Sequence, residues 1–226
     1  MIEFELPNAT GLFTTRTGGV SRGRYESLNV GRLTDDRPED VERNIGIVQA
    51  ASSAAEMQLL RQVHGGDLHV SDADVVEAMP AADSSVTNLQ RRALLATGAD
   101  CPPVALSDGE TVAIVHCGWK PLAAGIIEAT AERLRPGFHA AVGPGICVDH
   151  YEVGDEVIDA LGEVGRQSAR GRQLDLAQVI TRKLNACSAA DIRVIDRCTY
   201  CEPDRFFSHR RDGAITGRQA GLVWLN

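Results

Sequence analysis

Aromatic residues are scarce in this chain. Phe, Tyr and Trp make up 4% of its 226 residues, too few for a platform on which single-stranded nucleic acid stacks. Positive charge is short as well. Lys and Arg number 23 against 31 Asp and Glu, for a formal charge of −8 and a pI near 5.2. That balance argues against a broad basic surface, so nucleic acid is not an expected partner. No apolar run reaches the roughly 18 residues of a membrane span, so no membrane partner is expected. The segment Met1 to Leu6 lacks the basic and apolar regions of a secretory signal, and a cytoplasmic location is the expectation. Neither a Gly-x-Gly-x-x-Gly nor a Walker-type loop is present, which removes support for a dinucleotide or P-loop reading. Six cysteines are too sparse to staple a chain of this length and read as thiols, ligands or small buried residues.

With those classes set aside, 43% apolar composition is enough to bury a large core, and one domain over 1–226 is expected. Pro38 predicts a helix over 38–55, with Val41, Ile45 and Val48 at helical spacing. Further helices are predicted over Leu122–Leu134, 155–164 and 175–187. Short apolar segments at Leu59–Val63, Ala93–Ala96, Val104–Leu106, Val112–Val115, Ile192–Ile195 and Leu222–Leu225 read as strands. The mixture lacks regular strand–helix alternation, so the expected class is α+β, with mixed β-sheets flanked by helices. The glycine-rich stretch Thr14 to Asp36 reads as a long ordered or substrate-facing loop.

Three residues sit at the edges of strand-like runs: His64 after Gln62-Val63, Cys101 in Asp100-Cys101-Pro102-Pro103, and His116 after Val112–Val115. Two imidazoles and a thiolate suit zinc with an open fourth position. A metal held there brings the pKa of a bound water near neutrality. Ordinary structural roles for each residue stay open, since the three are far apart in sequence. Cys198 and Cys201 form a Cys-x-x-Cys pair, which can bind zinc or act in redox, but a structural zinc site wants a second pair and none is found. Cys117 and Cys147 read as packing residues, and His69, His139 and His150 show no partner pattern. Arg16, within Thr15–Ser21, and the trio Arg210, Arg211 and Arg218 suit phosphate or carboxylate contacts. Solvated or salt-bridged loops are the alternative for both segments.

At these motifs the chain resembles the laccase-domain family, once called multicopper polyphenol oxidases and now described as purine nucleoside phosphorylases with adenosine deaminase activity. The matching segments are Thr15-Arg16-Thr17-Gly18-Gly19-Val20-Ser21, Tyr25 with Ser27-Leu28-Asn29, Gln62-Val63-His64-Gly65, Asp100-Cys101-Pro102-Pro103, and His116 with Gly118-Trp119. They continue through Gly143-Pro144-Gly145-Ile146, Tyr151-Glu152-Val153-Gly154, Phe206-Phe207-Ser208, Arg210-Arg211-Asp212-Gly213 and Gly217–Leu222. The order is the family's, from residue 12 to the C-terminus.

The resemblance implies a zinc or copper ion on His64, Cys101 and His116. It implies phosphorolysis of adenosine, inosine, guanosine and methylthioadenosine, with adenosine deamination alongside, and so nucleoside and phosphate as small-molecule partners. Arg16, Lys120, Arg210, Arg211 and Arg218 are then the candidate phosphate contacts, and Asn29 a candidate ribose contact. A link of the family to cell-wall precursor editing is a further implication. The chain departs from the usual His-Ala-Gly-Trp-Arg-Gly at Cys117, Lys120 and Pro121, and Lys120 lacks the planar fork of arginine. Other classes stay open. One is a metal-free hydrolase with Cys101 as nucleophile and His116 as base. A second is a copper oxidase, which needs more histidines than the six present. A third is a metal-dependent binding protein without turnover.

Overall fold

The computed structural model describes residues 1–73, 75, 76 and 78–226. In chain order the strands and helices are β1 (Ile2–Leu6), β2 (Ala9–Phe13), α1 (Pro38–Ser52), β3 (Glu56–Leu59), β4 (Leu68–Val70), β5 (Ser84–Thr87), β6 (Arg92–Gly98), β7 (Pro103–Ser107) and β8 (Val112–His116). There follow α2 (Trp119–Ala123), α3 (Ile126–Ala131), β9 (His139–Val142), α4 (Asp155–Ala160), α5 (Gly162–Gln167), β10 (Ala169–Arg170), β11 (Gln173–Leu174), α6 (Leu176–Ala186), β12 (Asp191–Val194), α7 (His209–Asp212) and β13 (Gln219–Leu225). The architecture is mixed α+β, as the sequence predicts.

Two sheets carry the fold. One has five strands in the order β1-β2-β13-β6-β3, the other six in the order β12-β9-β7-β8-β5-β4. Both mix parallel and antiparallel pairs: β3 runs parallel to β6 while β13 runs antiparallel to it. The central strands β7, β8 and β13 are buried along their whole length because both faces are covered. In β6, Leu94 and Ala96 face one core cluster with Phe4, Phe13, Ile114 and Ala141, while Ala93 and Leu95 face another with Val41, Ile45 and Val48 of α1. In β8, Ile114 joins the first cluster, and Ala113 and Val115 join a third with Leu122, Ile126, Ile127 and Val179 of the helices. The side-chain period of two thus sorts β6 and β8 between an inter-sheet core and a helix-covered face.

Helix α1 starts at Pro38 as predicted, and the three spaced apolar residues are buried against the five-stranded sheet. Helix α6 buries Leu176, Val179, Ile180 and Leu184, and the Asp175 carboxylate caps it by accepting from Gln178 N at 2.9 Å. The helix predicted over Leu122–Leu134 is two pieces. Gly125 takes φ 82°, a left-handed conformation that ends α2 and starts α3. The strand predicted at Leu59–Val63 lies earlier, at Glu56–Leu59, because β3 pairs with Arg92–Leu95 and residues 61–66 leave the sheet to form a wall of the site. Among the described residues no helix is long and apolar enough to cross a membrane.

Candidate metal centre and active site

Strand register delivers the first two donors. β7 pairs with β8 so that Pro103 stands opposite His116, and Cys101, two residues earlier, arrives beside that imidazole. The turn carrying Cys101 links β6 of one sheet to β7 of the other, so the thiol lies where the two sheets join. His64 comes from the loop after β3. Gln62 fastens this loop to the end of β6: its Oε1 accepts from Thr97 N and Thr97 Oγ1 at 2.8 and 2.7 Å, and its Nε2 donates to Thr97 O at 2.8 Å. The ligand atoms of His64, Cys101 and His116 all lie within 4.8 Å of one another. The two imidazoles meet edge to face, centroids 4.9 Å apart.

One buried carboxylate organises both histidines. Asp83, fully buried, accepts from His116 Nδ1 through Oδ1 at 2.8 Å. Its Oδ2 accepts from the backbone N–H groups of Val63 and Gly65 at 3.1 and 2.8 Å, on either side of His64. A carboxylate only accepts, so Nδ1 of His116 carries the proton and Nε2 faces the other donors. Burial pushes the Asp83 carboxyl up, but the bonds from His116, Gly65 and Val63 outweigh it and hold the group below its ordinary range. Asp83 was not legible as a site residue. Its partners lie 18 to 33 residues away, and no local pattern marks it.

The turns are held in uncommon backbone. His64 has φ 57° and Asp100 has φ 93°, left-handed conformations that persist only where the surroundings over-determine them. The Asp83 clamp does this for His64. For Asp100, Oδ1 accepts from Thr199 Oγ1 and Oδ2 from Arg210 N, both at 2.7 Å. Gly118 closes against the donors: a Cβ there would stand 3.2 Å from Cys101 Sγ and 3.6 Å from carbon atoms of both histidines.

Burial pushes the Cys101 thiol up, yet bonds to His116 and His64 bring it down to about 6. Burial lowers His116 in turn, and Asp83 and Cys101 raise it to about 9. The protein alone therefore holds a thiolate against an imidazolium, with the thiolate already in the form that a metal needs. The donor set fits a metal ion. It offers a soft thiolate and two imidazoles, one oriented by a carboxylate as metal-ligating histidines are.

The three donors line a cavity of about 540 Å³, a volume usual for small-molecule sites. Leu59, Leu60, Met79 and Leu95 give it apolar walls, and Tyr151, His209, Arg210 and Arg218 give it polar ones. Burial pushes the Tyr151 phenol well above its ordinary range, and the Cys101 charge adds to this. Arg210 lies over the Tyr151 ring at 5.2 Å and donates to Glu152 O at 2.8 Å. Arg218 donates to Thr216 O and Gly217 O at 2.8 and 2.9 Å. Among the described residues neither guanidinium forms an ion pair with a carboxylate, although ion pairs occupy many other arginines of this acidic chain.

The other predicted contacts lie elsewhere. Arg16 donates to Glu26 O and Pro203 O at 2.8 Å and covers the Phe207 ring, outside the cavity lining. Arg211 bonds Thr199 O, Tyr200 O, Phe206 O and Asp212, and serves as a loop brace. Lys120 is exposed beside Trp119. Asn29 is buried and committed. Its Oδ1 accepts from Gly31 N and Arg218 N, and its Nδ2 donates to Thr34 and Asp36, so it positions Arg218 from behind. Cys117, the departure next to His116, points into the helix-side core, where burial keeps it a thiol. Cys147 and His150 are not isolated as expected, for they stand with Cys198 and Cys201 in a second group of donors.

Fold and donors together define a laccase-like protein. The chain belongs to the family described as multi-copper polyphenol oxidoreductase laccase, which it matches over residues 10–226. It is similar to the purine nucleoside phosphorylase YfiH of Shigella flexneri, 37% identical over 94% of this chain and 92% of that protein. It is also 37% identical to a purine nucleoside phosphorylase of Deinococcus radiodurans, over 94% of this chain and 88% of that one. Among solved structures, the Neisseria meningitidis protein NMB0706 superposes with a TM-score of 0.92 at 36% identity, covering 100% of this chain and 98% of the other. YlmD from Geobacillus stearothermophilus gives 0.87 at 28% identity, covering 98% and 93%.

Proposed function

We propose that the chain is a metal-dependent purine nucleoside phosphorylase that also deaminates adenosine. The observation that carries it is one cavity holding three convergent metal donors and two arginines that pair with no carboxylate among the described residues. The naming of relatives at this level of identity points the same way. His64, Cys101 and His116 would hold zinc, with copper as the rival metal. When bound, the metal polarises an oxygen ligand and lowers the pKa of a bound water.

The residues of the chain do the rest. Arg210 and Arg218 bind phosphate in the cavity and set one oxygen against the ribose C1′. The new C1′–O bond forms as the C1′–N9 bond breaks, and the purine takes the electron pair and the proton that hydrogen phosphate gives up. Leu59, Leu60 and Leu95 take the flat base and exclude water. Tyr151, kept protonated by burial, offers a hydrogen-bond donor to the ligand. Asp83 keeps His116 in one tautomer and pins the His64 backbone. In deamination, water adds at the amino-bearing purine carbon and ammonia leaves.

Chromatography of inosine and adenosine reactions tests the reading. Hypoxanthine and ribose 1-phosphate must appear only when phosphate is supplied, and ammonia from adenosine must appear without it. No base release under any phosphate concentration refutes phosphorolysis.

A second reading rests on the depressed Cys101 thiol beside His116. It makes the pair a nucleophile and base of a metal-free hydrolase. Metal-stripped protein that keeps full turnover and loses it on alkylation of Cys101 alone would establish that version.

A further inference from the structure

We propose a second metal site, a structural zinc held by Cys147, His150, Cys198 and Cys201. Their ligand atoms lie within 4.8 Å of one another. His150 Nδ1 stands 3.2 Å from Cys147 Sγ and 3.4 Å from Cys201 Sγ, and the two sulfurs are 3.8 Å apart. Zinc–sulfur and zinc–nitrogen bonds in a tetrahedron imply edges of about 3.8 Å between sulfurs and about 3.5 Å from sulfur to nitrogen. The protein spacings are close to those edges. Three thiolates and an imidazole are a donor set that selects zinc among common divalent ions.

The backbone is built for the same purpose. The donors arrive as two short pairs, Cys147-x-x-His150 and Cys198-x-x-Cys201, from loops that a parallel bridge between Gly145 and Cys198 joins. The N–H groups of Cys147 and Cys201 both point at Cys198 Sγ, at 3.2 and 3.4 Å, and so favour its thiolate. His150 is fixed by stacking on Tyr200, centroids 4.1 Å apart at 18°. None of the four lines the cavity, and four protein donors leave no open position. The site therefore braces. Thr199 holds Asp100, Tyr151 follows His150, and Arg211 is tied to Thr199 and Tyr200, so the two loops support one wall of the cavity.

The inference does not depend on the nucleoside reading, and its test separates the two sites. The full-length His64→Ala/Cys101→Ala variant, purified with zinc and reductant, is expected to retain one zinc per chain by elemental analysis. Adding Cys198→Ser and Cys201→Ser should remove it. Cys201→His, which keeps four donors, should retain it and so answers any concern that the serine variant is misfolded. Cobalt(II) in place of zinc should show tetrahedral visible bands with thiolate charge transfer. The proposal is overturned if the first variant holds no zinc and all three thiols react freely with a thiol reagent. It is equally overturned by a native mass lower by two hydrogens, with Cys147 and Cys201 joined as a disulfide.

Discussion

Among the described residues two groups of cysteine and histidine donors stand apart, and their surroundings differ in donor number, backbone setting and access. The group of His64, Cys101 and His116 has three donors, from the loop after β3, the turn joining the two sheets and the end of β8, and opens onto a cavity. The group of Cys147, His150, Cys198 and Cys201 has four donors, lies on two bridged loops, and stands outside the lining of that cavity. In the first, a buried carboxylate orients the imidazole and clamps the neighbouring loop. In the second, backbone N–H groups turn toward a sulfur. An open set with a tuned outer shell suits turnover, and a closed set suits bracing.

Asp83 is where this contrast breaks most readily. Asp83→Asn keeps one acceptor but loses the charge and cannot accept on both sides as the carboxylate does. Metal affinity at the first centre is expected to fall about 10–100-fold, measured by competition with a chromogenic chelator. Zinc at the four-donor group should be unchanged, and equal losses at both would erase the distinction. Next in size is Arg218→Lys. It keeps the charge and loses the fork, so KM for phosphate should rise by about tenfold with little change in bound metal. Steady-state kinetics at varied phosphate would show this. An unchanged KM would place the anion elsewhere.

The smallest effect belongs to a carboxylate remote from both groups and marks what the scaffold alone contributes. Asp108 accepts from the N–H groups of Glu110, Thr111 and Arg135 at 2.9, 2.8 and 2.7 Å. Burial raises it, but these bonds and the Arg135 charge hold its pKa below the ordinary carboxylate value. A depressed folded pKa contributes stability above the unfolded value of about 3.9, and that stability is lost as pH falls through the folded one. Asp108→Asn should therefore cost about 1 kcal/mol at neutral pH, and the difference should vanish in strong acid. Denaturant melts at both pH values check this, and metal content should not move.

The sequence reads this molecule unevenly, for physical reasons. Strand-end residues His64, Cys101 and His116 stood out because glycine or proline beside each announces a turn, and the fold does bring them together. Helix α1 was legible from Pro38 and three spaced apolar residues. Asp83 was not, because its role arises from contacts across 18 or more residues. The partnership of Cys147 and His150 with Cys198 and Cys201 was missed for the same reason. Cys147 and Cys198 are 51 residues apart, and the bridge between Gly145 and Cys198 brings the pairs together. Arg16 and Arg211 read as anion contacts because their segments gather arginine, hydroxyl and glycine, and their guanidinium groups are engaged by backbone carbonyls and, for Arg211, by Asp212 as well.

On the proposed reading, turnover resides at the open three-donor group. Phosphate-dependent release of hypoxanthine from inosine, compared between the native protein and His64→Ala with bound zinc counted in both, tests this. The variant is expected to lose one zinc, keep the other, and lose phosphorolysis by about 10²-fold or more. Native turnover in a variant that has lost the first metal would contradict it.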